Sequence, residues 1–293
     1  MWFKTPPRPI DAGDEMKRIG CYRAFLCILF TTIFMSGCVT TKREVPDKSK
    51  KEEVKRAEIV KGKIGRDGAP MVLIPAGEFM MGSPAGEGYD CERPQHRVYL
   101  DAYYIDKYEV TVEQYRNFCE ATGRSMPSAP SWGWIDSHPI VNVTWEDASA
   151  YVKYYGKRLP TEGEWEKASR AGNSTKYCYG DDERRLGEYA WYYKNRGSGK
   201  RTQPVGQKKP NAWGLNDMHG NVWEWCSNWY GADYYKNSPR HNPGGPNTGS
   251  DSVFRGGCWN ASPDSCRSAR RGWDSPTSRY DFIGFRCAAS VAQ

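Results

Sequence analysis

At 293 residues, with 14% aromatic content, twelve Trp and thirty Gly, the chain is long enough to bury one large core, and its scarcity of long apolar runs argues against a helical bundle. The net charge of +7 is unevenly placed: residues 39–68 hold ten Lys and Arg against six Asp and Glu, whereas the part from Ala69 onward holds 27 against 26. A folded part so nearly neutral gives no indication of the strongly basic face of a nucleic-acid binder.

The chain opens with Lys17, Arg18 and Arg23 around the short apolar run Cys21 to Met35, followed by Ser36-Gly37-Cys38. A basic start, a short apolar stretch and small residues before a cysteine predict a lipoprotein signal over residues 1–37, with Met1 or Met16 as its start and Cys38 lipidated. The run is short for a membrane span, and an uncleaved signal anchor is the alternative. Residues 39–68 are charged and free of aromatics, which predicts a flexible tether between a membrane anchor and a domain over 69–293.

Met71 to Gly82 has two apolar runs around Pro75-Ala76-Gly77 and is predicted to form a hairpin. Arg97 to Ile105 alternates Val98, Leu100, Ala102 and Tyr104 and reads as one strand, with His96 before it as a turn or surface residue. Thr111 caps a helix with Val112, Tyr115, Phe118 and Cys119 on one face and Gly123 past its end. Thr144 with Asp147, and Thr161 with Glu164, mark two further starts; the second of these helices faces Trp165 and Ala168 inward. Glu162 and Glu164 serve the helix dipole rather than acid–base chemistry.

Asp217 and Glu224 lie seven residues apart across a glycine turn, where two acids and intervening carbonyls make an all-oxygen cage suited to calcium. The alternative is an ion pair between Glu224 and an arginine. Beyond the signal and Cys38 stand seven cysteines, an odd number, with no CxxC to suggest zinc. Their pairing is open, a Cys258–Cys266 bridge included.

The stretch Val253 to Ala289 is bounded by Gly256-Gly257 with Trp259 and by Ile283-Gly284-Phe285-Arg286. Between Asn260 and Phe282 neither strand nor helix periodicity is present, which predicts a long, framed, functional loop. The frame RGG-x-W, CRSA-x-R, IGFR resembles the formylglycine-generating-enzyme type of C-type-lectin-like domain, from about Met71 to Ala289. That resemblance implies an α+β, loop-rich fold with small antiparallel sheets and a few helices. It also implies a structural calcium held by Asp217, Gly220, Val222 and Glu224. The family's second calcium site is not implied, because Trp191 stands at its start, and the family's disulfide to Cys287 would be absent because its partner position is Val152. Of the two cysteines that hold copper in the oxidases, the second matches Cys266 and the first matches Ala261, so no copper is expected; Cys258 is the near sulfur that an oxidase would have to recruit.

The same frame resembles the variable proteins of diversity-generating retroelements, with a variable region at about 255–286. Asn260, Ala261, Ser262, Asp264, Ser265, Gly272, Asp274, Ser275, Ser278, Tyr280, Asp281 and Phe282 are residue types reachable from an Asn codon by adenine replacement, and Cys258 from a Ser codon. Trp273 is not reachable so, but joins Tyr280 and Phe282 as a rigid aromatic anchor among adaptable polar side chains. The expectation is a non-catalytic surface lipoprotein of the bacterial envelope that binds a protein or glycan outside the cell. The alternatives are a cysteine oxidase and a fixed envelope scaffold of the same fold.

Overall fold

A computed structural model describes residues 62–291, so the signal segment, Cys38 and most of the charged tether lie outside the described residues. Within them the strands run β1 (Lys63–Ile64), β2 (Pro70–Ile74), β3 (Gly77–Met81), β4 (His96–Leu100), β5 (Tyr103–Asp106), β6 (Trp223–Trp229), β7 (Ser252–Arg255), β8 (Arg271–Asp274), β9 (Ile283–Gly284) and β10 (Ala288–Ser290). Helices α1 (Val112–Thr122), α2 (Trp145–Tyr154), α3 (Glu162–Arg170) and the single turn α4 (Leu186–Tyr189) lie between β5 and β6. Three small sheets result, ordered β1-β2-β5-β10, β3-β4 and β8-β7-β6-β9; every pairing is antiparallel except β6 with β9. The loop-rich α+β architecture is the one expected.

The helix starts follow their sequence signals. Thr111, Thr144 and Thr161 each form a reciprocal capping box, with Gln114, Asp147 and Glu164 as third residues. Gly123 ends α1 in a left-handed conformation at φ 69°. The four predicted residues of α1 are buried, whereas α3 is buried on every side, beyond the inward stripe expected of it.

Both strand predictions require correction. The two apolar runs of Met71–Gly82 do not fold back on each other: β2 pairs with β5 and β3 with β4. The Lys167 ammonium explains the corner, because it binds the carbonyls of Pro75 at 2.7 Å and Gly77 at 2.9 Å and directs the chain from one sheet to the next. Arg97–Ile105 is likewise two strands. At Asp101 the backbone N–H and the carboxylate both engage Asn242, at 2.9 and 2.8 Å, and the buried face switches from Val98 and Leu100 to Tyr103 and Ile105 instead of continuing through Ala102 and Tyr104. His96 is half-buried, its Nδ1 3.0 Å from the Pro94 carbonyl and its ring edge-on to Tyr235.

The tether also ends earlier than expected. Lys63 and Ile64 pair with β2, and the Asp67 carboxylate receives Lys157 Nζ at 2.7 Å on both oxygens and the Tyr151 hydroxyl at 3.1 Å. The same ammonium reaches Asp106 at 2.8 Å, and Asp106 in turn accepts the Cys287 N–H. All seven described cysteines are free, so no Cys258–Cys266 bridge forms and Cys287 has no disulfide partner. Removing Asp67 would leave a buried ammonium with one carboxylate fewer. Asp67→Ala is expected to destabilise the protein by about 3–5 kcal/mol in urea unfolding, and a loss below about 1 kcal/mol would return residues 62–68 to the tether.

Candidate functional site

The terminal segment is held from within by charge. Helix α3 presents Glu162 and Glu166 to the sheet β8-β7-β6-β9, where Arg255 bonds to both and Arg271 grips Glu162 through two nitrogens at 2.7 and 2.9 Å. Burial alone would push the Glu162 carboxyl up, but Arg271 and Arg255 hold it below its ordinary range. Arg267 forms a two-pronged pair with buried Glu92 at 2.7 and 2.9 Å, and Arg286 one with buried Glu224 at 2.7 Å on each oxygen. Arg286 also donates to the carbonyls of Asp106, Lys107 and Asn216, and Trp165 Nε1 caps Glu224 at 2.7 Å. Glu162 and Glu164 are thus structural, as expected, but through side-chain pairs with arginines, Glu164 with Arg158, as well as through the helix end.

The frame glycines are required by close approach. A Cβ on Gly257, at φ 78°, would lie 2.7 Å from Cys266 Sγ, and one on Gly284 would lie 2.4 Å from the Ile140 carbonyl oxygen.

Around this frame the predicted window divides. Asn260, Ser262, Asp264, Trp273 and Tyr280 are exposed; Ser265, Gly272, Asp274, Ser275, Ser278, Asp281 and Phe282 are half-buried. Cys258 and Ala261, expected at the surface, belong instead to the core beside Trp223 and Phe285. Gly272 has no room to grow, since a Cβ there would come 2.0 Å from Phe254 Cε2.

Two groups of surface residues remain. In one, Asp274 accepts from the Tyr280 hydroxyl at 2.9 Å, the Ser278 hydroxyl at 3.0 Å and the Ser275 N–H at 2.7 Å, while the Tyr280 and Phe282 rings stack. Trp273 lies flat on Tyr230 with centroids 3.9 Å apart. In the other, Asn260 accepts from the Cys258 thiol and Ser262 meets Ser265, while Trp259 Nε1 donates to the Asp281 carbonyl across the window.

Sequence reasoning missed the aromatics that border this surface from outside it. Besides Tyr230, exposed Tyr193 donates its N–H to the Ala261 carbonyl, and exposed Tyr89 lies under Arg270 at 3.8 Å. Each sits in an aperiodic polar run, where an aromatic without a period carries no positional information.

The sulfur donors do not fit copper. Burial pushes the Cys258 thiol up to about 12 and the Cys266 thiol well above its ordinary value, the latter further raised by Cys258 and Asp264. Ala261 adds no ligand beside them, and copper(I) binding wants a soft thiolate pair.

The expected calcium cage needs one substitution among its ligands. Both Glu224 oxygens are engaged by Arg286 and Trp165, so Glu224 is unavailable. Asp217 stays a candidate: Oδ2 accepts the Gly206 N–H at 2.6 Å, whereas buried Oδ1 has no partner. Glu109, which the sequence did not single out, matches it, with Oε1 accepting from Asn221 and buried Oε2 unpartnered. Burial pushes Asp217 up to about 6 and, together with Asp217, pushes Glu109 well above the carboxylate range. The two carboxyls face each other closely enough to share a proton, and a calcium ion held there would take that proton's place.

Comparisons with known proteins place the family and the fold. The family model described as the sulfatase-modifying factor enzyme 1-like domain matches residues 57–291. The formylglycine-generating enzyme of Streptomyces coelicolor is 36% identical over 276 residues, covering 74% of this chain and 88% of that protein. Treponema denticola variable protein 1 superposes with a TM-score of 0.69 at 29% identity, covering 79% of this chain and 99% of its own. PvdO from Pseudomonas aeruginosa gives 0.70 at 30% identity, with 78% and 97% covered. The C-type-lectin-like fold implied by the terminal frame is therefore the fold of this chain.

Frame and window should answer mutation differently. Arg286→Leu, which leaves Glu224 buried and unpaired, is expected to cost about 3–5 kcal/mol or abolish folding. Asn260→Ala and Ser262→Ala are expected to stay within about 0.5 kcal/mol. Denaturant unfolding of the three variants checks the contrast, which would vanish if the window were packed like the frame.

Proposed function

Because the chain belongs to the sulfatase-modifying factor enzyme 1-like family, we propose that it uses that family's scaffold to present a binding surface and not to oxidise a cysteine. In this reading it is a lipoprotein attached to the bacterial envelope through Cys38, and its terminal window binds a protein or glycan outside the cell. The observation that carries the reading is the separation of roles along one short segment. Arg255, Arg267, Arg271 and Arg286 are sunk into carboxylate pairs, while Asn260, Ser262, Asp264, Trp273 and Tyr280 face solvent. Asp264 is tied to the first set, accepting from Arg267 Nε at 2.7 Å, but the other four side chains can change without disturbing it, which is what a diversified contact surface requires. Ala261, standing where the oxidases have the first of their two cysteines, argues against the oxidase even though the sequence relatives include formylglycine-generating enzymes.

Calcium enters this reading as a structural ion only, held by Asp217 and Glu109 together with the carbonyls of Gly220 and Val222. Its role would be to neutralise the facing carboxyls of Asp217 and Glu109 beneath the frame.

Sequences of this locus from several isolates are expected to differ mainly at the exposed and half-buried window positions other than Gly272, with Gly257, Trp259, Arg271 and Gly272 constant. An even spread of changes would favour a fixed scaffold. Formation of formylglycine from a cysteine peptide with copper and oxygen, abolished by Cys266→Ser, would overturn the reading altogether. Millimolar calcium is expected to raise the Tm over a chelated sample by about 2–5 °C, an effect absent in Glu109→Gln; an unchanged Tm in the parent protein removes calcium from the proposal.

A further inference from the structure

Between Glu188 and Asp217 the sequence has no acidic residue, yet it contains Lys194, Arg196, Lys200, Arg201, Lys208 and Lys209. In a domain whose charges nearly cancel overall, this is a concentrated excess. Half of it is covered. Lys194 lies 3.7 Å from Glu183, Lys209 lies 3.0 Å from Glu188, and Lys208 donates to the Gly187 carbonyl above the Trp191 ring.

Arg196, Lys200 and Arg201 have no ion-pair partner among the described residues, and a single short loop holds all three together. Gln203 Nε2 donates to the carbonyls of both Arg196, at 3.0 Å, and Arg201, at 3.5 Å, and the Lys200 N–H donates to the Gly197 carbonyl. Gly197 and Lys200 take left-handed conformations that close the turn. The loop rests against the window: the Arg196 guanidinium stands 5.3 Å from the Trp259 ring, and exposed Tyr193 is bonded to Ala261.

Three like charges on one short loop repel one another, and among the described residues no carboxylate pairs with any of them. We propose that the Arg196–Arg201 loop is a fixed anion-binding site for a linear sulfated polysaccharide. Cations spread over an open turn suit a polymer with repeated charges, whereas a small anion would call for an enclosed cavity. Three cations within six residues call for several anionic groups per short length of ligand, which sulfation supplies and a single carboxylate per disaccharide does not. The exposed Tyr193 ring beside them offers a flat apolar face to a sugar. The site is built from residues outside the window, so it stands whether or not the window varies.

The test is binding of fluorescent heparin oligosaccharide to the full chain, measured against salt. The triple variant Arg196→Gln, Lys200→Gln, Arg201→Gln is expected to bind roughly tenfold or more weakly at about 0.15 M salt, and the slope of log affinity against log salt to fall by about 2–3. A control with the same charge change, Arg66→Gln, Lys153→Gln, Lys236→Gln, is expected to bind like the parent, and circular dichroism melting is expected to show both variants folded. Equal loss in the control, undiminished binding by the triple variant, or no binding by the parent overturns the proposal. So does equally tight binding of hyaluronan, polyglutamate or single-stranded DNA, which would assign the loop to anions in general. Neutral dextran is expected not to bind; binding of it with parent affinity also overturns the proposal.

Discussion

The architecture depends on arginines that point inward. Arg255, Arg267, Arg271 and Arg286 reach from the last quarter of the chain to Glu162, Glu166, Glu92 and Glu224, and every one of these groups is buried. Such pairs add little net stability over an apolar core, because taking the charges out of water costs about as much as their attraction returns. What they provide is uniqueness. A guanidinium fork accepts a carboxylate in few orientations, and an unmatched charge at this depth would cost several kcal/mol, so alternative threadings of the segment are excluded.

That constraint explains how an irregular segment is rigid without being regular. Few backbone ladders hold the window: β8 contributes four residues and β9 two. Side chains of the frame do the work that hydrogen-bonded strands do elsewhere, and Trp165, itself fully buried, links Glu224 to helix α3. Outward-facing groups are then small or aromatic, bonded chiefly to each other around Asp274, and they place few demands on the interior.

The parts of this organisation that were legible in the sequence are those set by local chemistry. Thr111, Thr144 and Thr161 announce their helices because a cap is satisfied within three residues. Strand partners are decided elsewhere, and the corner at Pro75–Gly77 depends on Lys167, ninety residues away; no local pattern in Met71–Gly82 distinguishes a corner from a hairpin. Asp67 was hidden by the company it keeps, since a composition that predicts a solvated leash says nothing about one carboxylate drawn inside. The terminal arginines were visible as members of the frame motifs but their carboxylate partners were not, and the cations of residues 194–209 disappeared into an almost balanced total. The window itself was found because its glycine-bounded frame is specific, although Cys258, Ala261 and Gly272 show that membership of a stretch does not decide which way a side chain faces.

The sheet β1-β2-β5-β10 has a mechanical meaning. It brings the first described strand and the last into one set of antiparallel rows, with the Asp67–Lys157–Asp106 pairs clamped across them. A tug arriving through the N-terminal residues would load those rows and that clamp in shear. The window's far end joins the same clamp, since Arg286 donates to the Asp106 carbonyl and the Cys287 N–H to the Asp106 carboxylate, so load on those rows and the set of the window share one carboxylate.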